Sequence, residues 1–155
     1  AKFSLFEGGI RVPAIISWKD HLPERQVRKQ MATNCDWLPT IADICDIPLL
    51  DEDIDGTSLV PIIQSESADD AHLVFHWQSG RTQWGPQWAV RQGTWKLIGN
   101  PRDTSDKAPL TEADQLFLVN LEEDVSEMQN LANQYPDKVK ELRRVHEDWI
   151  QRVES

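Results

Sequence analysis

A pair of glycines near the start of the sequence is flanked by charged residues, in the stretch AKFSLFEGGIRVPAI. An ammonium or guanidinium group beside such a loop can hold an oxyanion, because glycines allow close approach of the backbone. Lys2 is therefore a candidate anion-binding residue. The simpler interpretation of the same residues is an ion pair between Glu7 and Arg11 that braces the turn, with Lys2 in solvent. The residue types alone favour this structural interpretation.

A second polar cluster lies in the stretch HWQSGRTQWGPQW, at residues 76–88. Aromatic faces beside hydrogen-bonding side chains suit sugar rings or aryl groups, and an arginine suits an anion. The predicted substrate-binding residues are His76, Trp77, Gln78 and Arg81. The alternative is that the tryptophans fill the edge of a sheet, which the strand positions of Trp88 and Trp95 favour.

The sequence contains no self-sufficient catalytic motif: no G-x-S-x-G elbow, HExxH, phosphate-binding glycine loop or paired-cysteine motif. Cys35 and Cys45 would lie about 15 Å apart along one helix, beyond the reach of a disulfide, so we expect free, mostly buried thiols. The acidic run DEDID lacks the ligand spacing of a calcium loop and is expected to be solvated. No metal site is predicted in this chain.

The charge balance limits the partners that this chain can have. The 155 residues include 26 acidic and 16 basic ones, a formal net charge of −10. Phosphates would be repelled over most of such a surface, which argues against nucleic acid. No apolar run approaches the ~18 residues of a membrane span, so no membrane partner is predicted.

The elements expected to position these residues fall into two parts, residues 1–68 and 69–155. The first part is predicted to contain a strand in GIRVPAIISW, a helix in NCDWLPTIADICDIP and a loop. In the second, four short segments predict an antiparallel sheet: HLVFHW, QWAVRQ, TWKLIG and QLFLVNL. Gln92-Gly93 is the predicted turn between the second and third strands.

After Pro136, apolar residues recur at three- and four-residue intervals, as in an amphipathic helix of about four turns. They are Val139, Leu142, Val145, Trp149, Ile150 and Val153. An apolar sheet face needs a cover, so we expect this helix to pack on the sheet. A partner-binding helix is the alternative. The predicted fold class is α+β, with a four-stranded antiparallel sheet and a long C-terminal helix.

Five segments in order resemble motifs of the arylsulfatase-type sulfatases, which belong to the alkaline-phosphatase-like superfamily. They are K-x-S-L-F-E-G-G-I-R-V-P-A-I, CDWLPTIADI, DIDGTSLVPII, WAVRQGTWKLI and QLFLVNLEEDVSEMQNLA. The resemblance covers nearly the whole chain and implies the C-terminal part of an α/β sulfatase fold. The chain departs from the family pattern at SWKD, where Trp-Pro-Gly is frequent, and at Val125, where proline often follows the aspartate.

The resemblance implies that most of the active site lies upstream of this chain. In that family, an upstream α/β domain supplies a formylglycine nucleophile and the carboxylates and asparagine that hold calcium. Those motifs are not in this sequence, so both cofactors are expected only in the full-length parent, and this chain alone is expected to be inactive. Lys2 matches the family's sulfate-binding catalytic lysine. Glu7, Gly8, Gly9 and Arg11 match positions expected to support its loop.

The implied reaction is hydrolysis of a sulfate ester, with a sulfated carbohydrate as one substrate class and the upstream domain as partner. The parent is expected to be periplasmic or secreted. The isolated chain is expected to self-associate through apolar surface at residues 10–16. Two alternatives stay open: a phosphonate or phosphodiester hydrolase of the same superfamily, and a stand-alone module that binds sulfated or acidic sugars.

Overall fold

The computed structural model describes most of the chain, in seven stretches: residues 4–49, 54–65, 67, 69–80, 86–103, 108–111 and 113–154. The chain forms two compact units, Ala14–Leu73 and Ala1–Pro13 together with Val74–Ser155. The predicted boundary after residue 68 concerns the parent fold and stays a prediction. In the chain itself, the first thirteen residues group with the sheet that follows residue 73.

Four antiparallel strands form one sheet in chain order, which confirms the predicted sheet. They are β1 (Val74–Ser79), β2 (Gln87–Gln92), β3 (Trp95–Gly99) and β4 (Leu116–Asn120). Gln92 pairs with Trp95, so the turn consists of Gly93 and Thr94, one residue later than predicted. Gly93 has a φ of +58°, a backbone conformation that glycine adopts without a steric penalty.

A long helix, α4 (Pro136–Glu154), covers one face of the sheet, as its apolar spacing predicts. Leu142 is fully buried in a core cluster with three strand residues, Val90, Leu97 and Leu118. Val139 and Val145 pack against the same cluster from the helix. Every second side chain along a strand points to this face, and those that do so form the core between the helix and the sheet.

The opposite face of the sheet is covered by the first described residues of the chain. Leu5 and Phe6 are buried in a second core cluster with Ala89, Ile98, Phe117, Val119 and Leu121. The rings of Phe6 and Phe117 meet edge to face, with centroids 5.1 Å apart and planes at 74°, a favoured aromatic geometry. The sheet is therefore an inner layer, with apolar cover on both sides.

The predicted strand over residues 9–18 is wrong. Glu7–Ile10 forms a single helical turn, α1, and residues 11–18 have no regular secondary structure. Val12 and Ile15 are 76% and 90% exposed. Their β-branched side chains favour a strand only where a neighbouring strand is available for pairing, and the sheet is built from β1 to β4.

In the unit of residues 14–73, a 3-10 turn (Asn34–Asp36) leads into α2 (Trp37–Ile44), and α3 (Val60–Gln64) follows. The buried carboxylate of Asp36 accepts the backbone N–H of Thr33 and that of Thr57. Burial opposes ionisation of this carboxyl, but those N–H donors and His72 outweigh it and lower the pKa of Asp36. The start of the helix is thereby tied to the loop before α3.

Cys35 and Cys45 are free thiols, but both are exposed, so the prediction that they are buried is wrong. The helix turns another face inward: its buried residues are Pro39, Thr40 and Ala42. The apolar spacing predicts that the side of α2 with Ile41 is buried, but Ile41 is 54% exposed. Among the described residues, no helix is long and apolar enough to cross a membrane.

Replacing Gly99 with alanine should destabilise the sheet. An added Cβ would lie 2.0 Å from Cε2 of the Trp88 ring, and this ring in turn stacks on His146 of α4. Because overpacking a rigid core costs about 1–3 kcal/mol, we expect the free energy of unfolding to fall by about that amount in urea titrations followed by tryptophan fluorescence.

Gly80→Ala is the matched control, because a Cβ there meets no described heavy atom within 4 Å. Equal unfolding midpoints for the two variants would contradict the close packing of Trp88 on Gly99.

Candidate functional site

A fully buried lysine, Lys96 of β3, connects the first residues of the chain to the residues after β4. Its Nζ donates hydrogen bonds to Oε1 of Glu7 and to Oε1 of Glu127, each at 2.9 Å. The backbone N–H of Glu7 donates to Oε2 of Glu127. A buried ammonium group is very unfavourable unless it is paired and hydrogen-bonded. We call Glu7, Lys96 and Glu127 the charge triad.

Each member of the charge triad comes from a different element. Glu7 opens α1, directly after the buried residues Leu5 and Phe6. Side chains along a strand point alternately to its two faces, so Lys96 lies on the same face of β3 as Ile98, away from α4. Three of the five motifs that resemble the sulfatase family therefore meet in this cluster.

Glu127 reaches the triad from a tight turn after β4. Its φ is +56°, a conformation that costs a residue with a Cβ about 1 kcal/mol or more. The turn is held by Asp124, whose Oδ2 accepts the backbone N–H of Met128 and that of Gln129. These hydrogen bonds hold the backbone in the conformation from which the Glu127 side chain reaches Lys96.

The charges of the triad do not balance, because two carboxylates face one ammonium group. Burial raises the pKa of Glu127; the ammonium of Lys96 opposes this shift, and the carboxylate of Glu7 adds to it. Arg11 lies nearby, with Nη1 at 3.9 Å from Oε2 of Glu7, but its side chain is 64% exposed. A solvated pair at this distance contributes little, so Lys96 is the main partner of Glu7.

Two of the predicted site residues, Lys2 and Arg81, lie outside the described residues. Of the predicted supporting residues, Glu7 is part of the charge triad, Gly8 and Gly9 lie in α1, and Arg11 follows it. An ion pair with Arg11 alone does not account for Glu7, because Lys96 and Glu127 bind it as well. A Cβ on Gly8 would meet no described atom within 4 Å.

The predicted substrate residues of β1 lie on different faces of the sheet. His76 faces α4, with Nε2 at 2.8 Å from Nδ1 of His146 and its ring stacked on Trp149 at 3.8 Å. Trp77 packs on the opposite face, against the cluster that contains Leu5 and Phe6. Gln78 is exposed. Whether any of them binds substrate stays a prediction.

The imidazole of His76 is held in a poorly solvated position under α4. Burial lowers its pKa to about 4, and repulsion from His146 adds to the shift. Burial also lowers the pKa of His146. Nδ1 of His76 is buried and has no hydrogen-bond partner among the described residues. At neutral pH both rings are therefore uncharged, which suits their stacking on tryptophan.

Lys96 and Glu127 were missed by the sequence analysis as partners of Glu7. A lysine at a sheet position between the apolar residues Trp95 and Leu97 was the available signal, because an unpaired ammonium is rarely buried. The partners themselves could not be deduced from spacing, since Glu7 and Glu127 lie 120 residues apart.

His76 should make the protein less stable as the pH falls below about 6.5. An unfolded histidine takes up a proton near pH 6.5, whereas the folded protein resists protonation of His76 until about pH 4. The unfolded state therefore binds more protons in this window, and the free energy of unfolding decreases as the pH falls from 6.5 to 4. His76→Phe should flatten that dependence in urea titrations at several pH values.

The control is His21→Phe, because His21 is an exposed histidine stacked on Trp18. It should leave the pH dependence as in the unchanged protein. If the His76 variant kept the full loss of stability at acid pH, the burial of this imidazole would not be its source.

Comparison with known proteins gives a consistent assignment. Residues 1–154 match the family described as N-sulphoglucosamine sulphohydrolase, C-terminal. Arylsulfatase A of Bos taurus is 29% identical over 143 residues, which cover 85% of this chain and 28% of that protein. The choline-sulfatase of Rhizobium meliloti (strain 1021) is 32% identical over 126 residues, 79% of this chain and 23% of that protein. The chain thus spans about a quarter of the length of these relatives.

Solved structures show the same fold at lower identity. A 2-O GAG sulfatase superposes with a TM-score of 0.59 at 23% identity, covering 77% of this chain and 25% of that one. A protein solved with its substrate D-glucosamine-2-N,6-O-disulfate gives a TM-score of 0.56 at 22% identity, covering 75% of this chain and 23% of that one. The chain therefore belongs to the family of N-sulphoglucosamine sulphohydrolase C-terminal regions and is a C-terminal sulfatase region.

Proposed function

We propose that this chain is the C-terminal part of an enzyme that hydrolyses sulfate esters, and that Lys2 supplies a cation to its sulfate site. The observation that carries the proposal is the attachment of residues 4–10 to the sheet. Phe6 packs on Phe117 through apolar contact, and Glu7 is bound by Lys96. A loop held by both kinds of contact suits a charged group that must keep its position during a reaction.

The proposed chemistry of Lys2 is electrostatic. Hydrolysis of a sulfate ester shifts negative charge among the sulfate oxygens and the leaving oxygen, and a fixed ammonium group lowers the energy of that charge distribution. The lysine therefore contributes to the transition state without exchanging a proton or forming a bond. This role requires that the ammonium group is accurately placed; it does not require that its pKa is shifted.

The described residues do not fit the calcium ion that the family resemblance implies. Within the described ranges, no three His, Cys, Asp or Glu side chains lie close enough together to hold a metal ion. No step through calcium is therefore assigned to this chain, and the nucleophile and metal ligands would come from upstream residues. We accordingly expect the 155-residue chain alone not to release sulfate from an ester.

The substrate class that we propose is a sulfated carbohydrate. The matching family is named for a sulfated amino sugar, and choline-sulfatase, by its name, acts on a smaller ester. We retain Trp77, Gln78 and Arg81 as candidate contacts near the end of β1. For His76, stacking on Trp149 and bonding to His146 support a structural role under α4.

Lys2→Ala in the full-length parent enzyme should lower kcat for a sulfate ester by about 100-fold or more, because the loss of one transition-state cation or donor has that effect in other hydrolases. Sulfate release from an aryl sulfate and from a sulfated monosaccharide measures it. Lys29→Ala, which removes an exposed lysine, is the matched control and should keep full activity. Full activity of the Lys2 variant would refute the proposed role.

Arg81→Ala in the same enzyme should raise KM for a sulfated carbohydrate by about tenfold, since a guanidinium–anion contact contributes a charge-assisted hydrogen bond worth roughly 1.5–3 kcal/mol. For a small aryl sulfate, KM should change little. Arg102→Ala, at an exposed arginine, serves as the control. An unchanged KM on the carbohydrate would remove Arg81 from the substrate site.

A further inference from the structure

We propose that Lys96 and Glu127 are positioning residues for Lys2: by fixing the turn at Glu7, they fix the segment that directly follows this lysine in the chain. The inference rests on the proposed function of Lys2. It assigns a role in the reaction to two residues of the C-terminal sheet region that are remote in sequence from the lysine.

The contacts on Glu7 hold both its side chain and its backbone. Lys96 binds Oε1 at 2.9 Å, and Glu127 accepts the backbone N–H through Oε2. The same Lys96 ammonium binds Oε1 of Glu127 at 2.9 Å, so the three residues form a closed ring of hydrogen bonds. Such a ring fixes the orientation of α1 as well as its location, because hydrogen bonds are directional.

The apolar contacts of the segment explain its attachment but not the presence of charge. Leu5 and Phe6, each 7% exposed, already bury this stretch on the sheet. Hydrophobic contact has no preferred direction, and replacing a buried ion cluster by apolar residues is often neutral or stabilising. The triad therefore adds something that packing alone does not supply, which is a defined direction of the chain at Glu7.

The fixed stretch extends close to Lys2. Ser4 is 1% exposed, and its Oγ donates to the carbonyl of Arg102 and accepts the N–H of Phe6. Two residues of chain span at most about 7 Å, so a fixed Ser4 restricts where an ammonium at position 2 can go. A displacement of about 1 Å in a positioned group can reduce a rate about 100-fold.

The test is a double-mutant cycle between Lys2 and Glu127 in the full-length enzyme. Glu127→Gln keeps the shape of the side chain but leaves one oxygen to serve two donors, the Lys96 ammonium and the Glu7 N–H. In the unchanged background it should lower kcat about 10-fold or more. In the Lys2→Ala background it should have no further effect, because there is no ammonium left to misplace.

A merely structural role gives a different result. If Glu127→Gln lowers kcat by the same factor with and without Lys2, or leaves kcat unchanged, the inference is overturned. If Lys2→Ala has no effect on kcat, the proposed function of Lys2 is wrong instead. The single Lys2 variant in the cycle distinguishes this outcome from a failure of the inference. Glu123→Gln, at an exposed glutamate of the preceding turn, is the matched control and should have no effect in either background.

Circular dichroism and the thermal midpoint establish that each variant is folded. Should Glu127→Gln not give folded enzyme, Glu7→Gln is carried through the same cycle, since it removes a carboxylate and leaves Phe6 and the backbone N–H in place. The expected result is again a loss of kcat that requires Lys2, and an equal loss in both backgrounds overturns the inference.

Discussion

An ammonium group with no access to water must be neutralised, and much of the sheet unit is arranged around this requirement. Lys96 is fully buried on the face of β3 away from α4. Carboxylates reach it from two directions, from the turn at Glu7 and from the strained turn at Glu127. Removing one partner of a buried pair costs about 3–5 kcal/mol, because the remaining charge is left uncompensated. The burial of Lys96 therefore depends on at least one of these carboxylates, and the pairing with both joins the turn at Glu7 to the turn at Glu127.

The same arrangement explains why the sheet has two different covers. Because side chains alternate between the two faces of a strand, Val90, Leu97 and Leu118 pack with Leu142 of the helix. On the other face, Ile98 and Phe117 pack with Leu5 and Phe6. The helix face is sealed by aromatic stacking and apolar packing. The other face carries the charge triad and the stretch that follows Lys2, the proposed sulfate-binding residue. Both faces therefore contribute apolar packing, and the charge triad lies on the face away from α4.

The sequence predicted those parts of the fold that depend on local periodicity. The spacing of Val139, Leu142 and Val145 identified the covering helix, and the aromatic and β-branched runs identified the strands. The composition of residues 9–18 favours a strand, but strand formation depends on a neighbouring strand that the sequence spacing cannot reveal. The ion partners of Glu7 were beyond prediction for the same reason, because they lie 89 and 120 residues away. The motif resemblance predicted the family and a sulfate-binding role for Lys2, but not the contacts that hold the residues after it.

The distance between Glu7 and Glu127 along the chain has a consequence for biosynthesis. Strands that pair with their chain neighbours, as β1 to β4 do, can assemble as they emerge from the ribosome. The stretch around Phe6 is translated before any of them, yet Glu7 gains its last partner only 120 residues later. At the usual pace of translation, this delay is on the order of ten seconds. During that interval the ring of Phe6 has no contact with Phe117, so the face of the sheet away from α4 completes its core only after β4 has been translated.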